Sequence, residues 1–134
     1  MSAVVLDSYA LLAFFRGEPA GVAVRALLEK AGAADRPVHM TEVNYAEVKY
    51  VVLRKDGTAA WDQAAKVLEA LPIEFHAVDR RLADVAAELK AGFPLSLADA
   101  CAAALAKERK AELVTGDVEF EPLKDRVRIR WLQA

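Results

Sequence analysis

Ala3-Val4-Val5-Leu6-Asp7 is the stretch on which the fold turns. Four apolar residues, two of them β-branched, have the composition of a buried strand. Asp7 places a carboxylate where that strand should end. Ser8 then leads into a second apolar stretch, Tyr9 to Phe15, with the character of a helix. In open parallel α/β sheets, ligands bind just beyond the carboxyl ends of strands. An acid in that position is a candidate site residue, and its weight depends on whether other acids converge on it.

Outward from this unit, short strands and helices alternate. Gly17-Glu18-Pro19 breaks the first helix, and Ala20 to Ala31 reads as a second, followed by a loop from Gly32 to Arg36. Pro37 to Met40 is a short strand. Thr41 opens a helix to about Arg54, ended by Asp56-Gly57, and Thr58 caps the next, to about Ala70. Ile73 to Val78 is a strand, Asp79 caps a helix to about Lys90, and Ser96 caps another from Leu97 to about Arg109. Glu112 to Thr115 and Val127 to Leu132 are the last strands. The pattern predicts an α/β fold: a three-layer α/β/α sandwich around a mostly parallel, about five-stranded sheet.

The 134 residues suit one domain spanning 1–134, and 55% hydrophobic residues can build a core. No apolar run has the length of a membrane span, and the N-terminus lacks the pattern of a signal peptide. The single cysteine, Cys101, makes no internal disulfide and suits a reducing cytoplasm. A net charge of -2 argues against a simple electrostatic nucleic-acid binder, although an acid cluster that holds divalent ions is acidic only as a bare sequence.

Strand C-termini and the N-termini of the following helices share one sheet edge. Asp7, Glu47, Asp99 and Asp117 can all reach it. At helical spacing, Val43, Ala46, Tyr50 and Leu53 make an apolar face that contains Glu47. An acid there must be neutralised, paired to a base such as Arg54, or metal-bound. Asp99 stands in a capping-box pattern, Ser96-Leu97-Ala98-Asp99, yet the helix from Leu97 to Ala106 is otherwise apolar on every side, with small neighbours at Ala102, Ala103 and Ala106. Asp7 and Asp117 can equally be helix caps. His39 and His76 have no Cys or His at ligand spacing, which argues against a zinc site. Cys101 reads as a small core residue. Gathered carboxylates repel unless a cation sits between them, and hard oxygen ligands select Mg²⁺ or Mn²⁺. Metal-dependent phosphodiester hydrolysis is the chemistry that suits such a set.

Val4-Val5-Leu6-Asp7-Ser8, Asn44-Tyr45-Ala46-Glu47-Val48, Leu95-Ser96-Leu97-Ala98-Asp99-Ala100 and Leu113-Val114-Thr115-Gly116-Asp117 with Glu119-Phe120 together resemble the PIN-domain nucleases. Within them, the likeness is to the VapC-type ribonuclease toxins of prokaryotic toxin–antitoxin pairs, and it runs along essentially the whole chain. It implies that Asp7, Glu47, Asp99 and Asp117 are metal-binding and catalytic, with Thr115 and Ser8 in support. Glu42 is the only rival to Glu47. The resemblance further implies Mg²⁺ or Mn²⁺ as cofactor, endonucleolytic cleavage of RNA, a homodimer, and a small antitoxin partner whose tail occludes the site. An RNA surface would be local, involving Arg16, Lys49, Arg54 or Lys55. Two other readings stand beside this one: a phosphatase or receiver-like domain phosphorylated on Asp7, and a non-catalytic binding module whose acids are caps and salt bridges.

Overall fold

Parallel strands cannot be joined by tight hairpins, so each crossover carries helix. The computed structural model describes residues 3–133. Its strands are β1 (Val4–Leu6), β2 (Val38–Thr41), β3 (Ile73–His76), β4 (Glu112–Thr115) and β5 (Ile129–Trp131). They form one five-stranded sheet of order β3-β2-β1-β4-β5, parallel at every pairing. Helices α1 (Ser8–Phe15) and α2 (Ala20–Ala34) join β1 to β2, and α3 (Glu42–Asp56) and α4 (Thr58–Ala70) join β2 to β3. Helices α5 (Arg80–Gly92) and α6 (Leu97–Arg109) join β3 to β4, and a 3₁₀ turn (Val118–Leu123) follows β4. The three-layer α/β/α expectation holds. No described helix is long and apolar enough to cross a membrane.

Side-chain alternation divides the core between the two faces. Val4 and Leu6 of β1 and Val114 of β4 pack with Ala10, Val24 and Leu28 of α1 and α2. Met40 of β2 and Leu11 of α1 pack with Val48, Val52, Trp61 and Leu68 of α3 and α4. On the opposite face, Val5 and Leu113 pack with Leu82, Ala86 and Leu89 of α5, with α6 from Ala100 to Ala106, and with Phe120 and Leu123. The alanine run of α6 lets this helix lie close to the sheet. The chain changes direction by 118° between α5 and α6, which returns α6 to the sheet edge it must start from.

Three local expectations are corrected. Helix α2 continues through Gly32 to Ala34, because Ala31 extends the buried row of Val24 and Leu28. Asp35, left-handed at φ 53°, ends it. Thr58 does not cap α4: Gly57, at φ 93°, stands between α3 and α4 and ends one while starting the other. Burial in α6 starts at Asp99, since Leu97 is 60% exposed.

Gly21 marks the closest approach of α1 and α2. A Cβ there would lie 2.4 Å from the Ala13 carbonyl oxygen and 2.9 Å from the Phe14 Cα. Backbone cannot yield as a side-chain tip can. Gly21→Ala is therefore expected to lower unfolding free energy by about 1–3 kcal/mol, by forcing α2 off α1. Urea denaturation measures it, and a variant as stable as the parent would refute the contact.

Candidate active site

The chain runs from β1 outward through β2 and β3, then crosses back to place β4 on the other side of β1. The carboxyl ends of β1 and β4 therefore flank the point where strand order reverses, which is where open α/β sheets form a crevice. Asp7 directly follows β1, Thr115 ends β4, and Asp117 lies two residues beyond.

Asp7 is 1% exposed. Its Oδ1 accepts from the Ala10 amide at 2.9 Å, so it caps α1, and its Oδ2 accepts from the Thr115 hydroxyl at 2.5 Å. Thr115 is fully buried, and its Oγ1 also accepts from the Asp117 amide at 3.0 Å. One hydroxyl thus ties the ends of β1 and β4 together. Burial drives the Asp7 carboxyl up to about 7. The Thr115 and Ala10 hydrogen bonds oppose that rise, while the charges of Asp99 and Asp117 add to it.

Asp99 lies in the first turn of α6, 8% exposed, with its amide bonded to the Ser96 hydroxyl at 3.1 Å. Its carboxyl is also raised to about 7, chiefly by burial and then by Asp117, with Glu47 and Glu119 contributing and the Ser96 hydroxyl opposing. The cap reading and the site reading of Asp7 are therefore not exclusive, whereas at Asp99 the capping side chain is that of Ser96. Asp117 Oδ1 likewise accepts from the Glu119 amide at 2.9 Å and starts the 3₁₀ turn.

Glu47 reaches the cluster from α3, but not on the face the apolar spacing predicts. The buried row of α3 is Asn44, Val48 and Val52; Tyr50 is 50% and Leu53 36% exposed, and Ala46 faces solvent. Glu47 is half-buried beside that row and close enough to Asp99 to raise its pKa. Glu42 is exposed in the first turn. The row begins with a polar residue, which hydropathy cannot reveal. Asn44 is fully buried because its bonds are internal: Nδ2 donates to the Ser8 hydroxyl at 3.0 Å and to the Ala98 carbonyl at 3.2 Å, and Oδ1 accepts from Thr41. It thereby locks the first turns of α1, α3 and α6, which carry or adjoin Asp7, Glu47 and Asp99. Ser8 is 5% exposed and bonded to Asn44, so its place is in this lock.

Asp99, Asp117 and Glu119 each offer an oxygen within 4.8 Å of the others. Glu119 is a member that the spacing argument missed; its proximity comes from the tight 3₁₀ turn. Asp7 feels the charges of Asp99 and Asp117, and Glu47 acts on Asp99, so both adjoin this group. Asp99 is buried, Asp117 half-buried and Glu119 exposed, and oxygen donors of this kind, facing solvent on one side, fit a divalent cation. Of the basic residues named for an RNA surface, Arg16 pairs with Asp56 at 3.5 Å, and Lys49 lies over the Trp61 ring at 5.6 Å.

Two outcomes follow. A carboxyl raised from 3.8 to about 7 holds in the folded state a proton that the unfolded chain releases. Its stability contribution is complete below about pH 4 and is lost as pH rises through about 7. In chelator, the melting temperature should fall between about pH 5 and about pH 8, and Asp99→Asn should raise it at the upper end by at least about 3 °C. Parallel pH profiles for parent and variant would contradict this. Asn44→Ala removes the donor to the Ser8 hydroxyl and the Ala98 carbonyl and the acceptor of the Thr41 hydroxyl, and is expected to cost about 2–3 kcal/mol in denaturant unfolding; a change below about 0.5 kcal/mol would count against the lock.

A family model described as PIN domain matches residues 4–125. No curated protein sequence matches the chain. Among solved structures, VapBC2 from Rickettsia felis, bound to a DNA fragment from its promoter, is similar at TM-score 0.75 and 15% identity, covering 98% of this chain and 99% of that one. DNA-bound VapBC from Salmonella typhimurium gives TM-score 0.72 and 19% identity, over 97% of this chain and 98% of that one. Mycobacterium tuberculosis VapC20, a sarcin-ricin loop cleaving toxin, gives 0.66 and 18%, over 90% of this chain and 94% of that one. At such identities the structural likeness is one of fold. The family model spans nearly the full chain, and the chain belongs to the PIN domain family.

Proposed function

We propose that this protein is a Mg²⁺- or Mn²⁺-dependent endoribonuclease, the toxin of a type II toxin–antitoxin pair. The observation that carries the reading is the convergence of Asp7, Glu47, Asp99, Asp117 and Glu119 at the switch point of the sheet, with two of these carboxyls raised to about 7. Fold likeness to VapC-containing structures supports the toxin assignment.

Asp99, Asp117 and Glu119 would hold the cation, with Asp7 and Glu47 supplying further negative charge around it. When bound, the ion supplies Lewis acidity that neutralises phosphodiester charge and favours a hydroxide nucleophile at neutral pH. Thr115 keeps the Asp7 carboxyl and the Asp117 backbone in fixed relation. Glu47, half-buried on the flank, is placed to take the proton of an attacking water. The products of hydrolysis are two RNA ends, one carrying the phosphate and the other a hydroxyl. A small antitoxin covering this crevice, a homodimeric assembly and action in the cytoplasm complete the reading.

The receiver-like alternative requires an accessible Asp7. Burial of that residue, with both oxygens already accepting hydrogen bonds, weighs against it.

Incubation of purified protein with structured RNA tests the proposal. Cleavage should require Mg²⁺ or Mn²⁺, stop in chelator, and fall by about 100-fold or more in Asp99→Asn and Asp117→Asn, because each removes a charge without removing volume. Cleavage that persists in chelator and in both variants would overturn it.

A further inference from the structure

His39 and His76 are far apart in sequence, but strand register brings them together. In parallel pairing, Val5 lies beside His39 and His39 beside Glu74, while Thr41 lies beside His76. Paired residues share a face, so His39, Glu74 and His76 stand with Val5 on the α5/α6 side of the sheet. Helices α5 and α6 cover Val5 and Leu113 on that side, and β3 is the sheet edge. There the His39 side chain is 9% exposed, His76 20% and Glu74 50%.

Three donor atoms meet at this point. His39 Nδ1 and His76 Nε2 are 2.9 Å apart, and Glu74 Oε2 lies 3.2 Å from the first and 3.1 Å from the second. The rings meet through these nitrogens rather than by stacking, with centroids 5.0 Å apart and planes at 48°. Hydrogen bonds alone cannot satisfy all three contacts. With one proton among the nitrogens, the remaining nitrogen sets its lone pair against the carboxylate. With a proton on each, both N–H groups can donate to Glu74 Oε2, and the 2.9 Å approach of the two nitrogens is left as a contact between two donors with no acceptor between them. A cation in front of the triangle satisfies every lone pair together. Four-coordinate zinc, with bonds of about 2.0–2.1 Å, spaces neighbouring donors about 3.3 Å apart, close to the three separations seen here.

We propose that His39, Glu74 and His76 form a second cation site, separate from the carboxylate cluster, that takes Zn²⁺ or a similar nitrogen-preferring divalent ion. Three protein ligands leave a fourth position towards solvent, on the side where Glu74 is exposed. With two ligands on β3 and one on β2, the ion would staple the edge strand to its neighbour. Imidazole-rich sites select such ions over Mg²⁺, whereas the all-oxygen cluster has the opposite preference. The two sites are therefore separable by choice of metal.

The test uses the full chain, free of any histidine tag and stripped with chelator, titrated with Co²⁺ and with Zn²⁺ against a chromophoric chelator. One equivalent of Co²⁺ should give the intense visible absorption of a four-coordinate ion. That signal should persist in Asp99→Asn/Asp117→Asn, and Zn²⁺ affinity should fall at least about tenfold in His39→Gln and in His76→Gln. Zn²⁺ should raise the melting temperature of the parent but not of His76→Gln. His76 is partly exposed, so that variant keeps the test valid if His39→Gln fails to fold. Unchanged Zn²⁺ affinity in His76→Gln, or a Co²⁺ signal that vanishes with the aspartate pair instead, would overturn the proposal.

Discussion

The burial of two carboxyl groups, Asp7 and Asp99, beside further acids is the constraint on which the site depends. Asp7 and Asp99 are both nearly inaccessible and both feel Asp117. No fold would gather them for stability alone, because burial and like charge each disfavour ionisation. Two of the acids also hold a backbone element, since Asp7 caps α1 and Asp117 starts the 3₁₀ turn, while Asp99 sits in the turn capped by Ser96. Local capping thus offsets part of the long-range repulsion.

Two buried hydrogen-bonded centres keep the crevice in shape. The Thr115 hydroxyl joins the β1 and β4 ends, and the Asn44 amide joins three helix starts. Neither presents charge. Both work because a polar group buried with all its partners restricts geometry, whereas one left unmatched is costly. The apolar layers around them, such as Val5, Leu113 and the alanines of α6 on one face, make the scaffold rigid enough for the acids to remain in place.

Metal chemistry at the two edges of this sheet would follow different rules. At the switch point, the donors are oxygens delivered by loops and helix starts. At β3, they are two imidazoles and a carboxylate delivered by the strands themselves. The first arrangement draws its donors from several elements at the switch point; the second sits on β3, at one end of the strand order.

The sheet, the order of its strands along the chain, most helix starts and the acids Asp7, Asp99 and Asp117 as edge residues were legible in one dimension. Alternating apolar runs and capping residues are local signals, and an acid that ends an apolar strand must lie at its carboxyl end. What stayed hidden depended on partners distant in sequence. The face of α3 was misread because Asn44, a polar residue, is buried by bonds to Ser8 and Ala98, and hydropathy measures only side-chain chemistry. Glu119 joined the acids only through the 3₁₀ turn after Asp117. His39 and His76 showed no ligand spacing because parallel register, rather than sequence separation, sets their 2.9 Å contact. Composition and periodicity therefore determined the layers and the edge, while tertiary packing decided which polar atoms meet, since hydrogen bonding and metal ligation depend on distance in space.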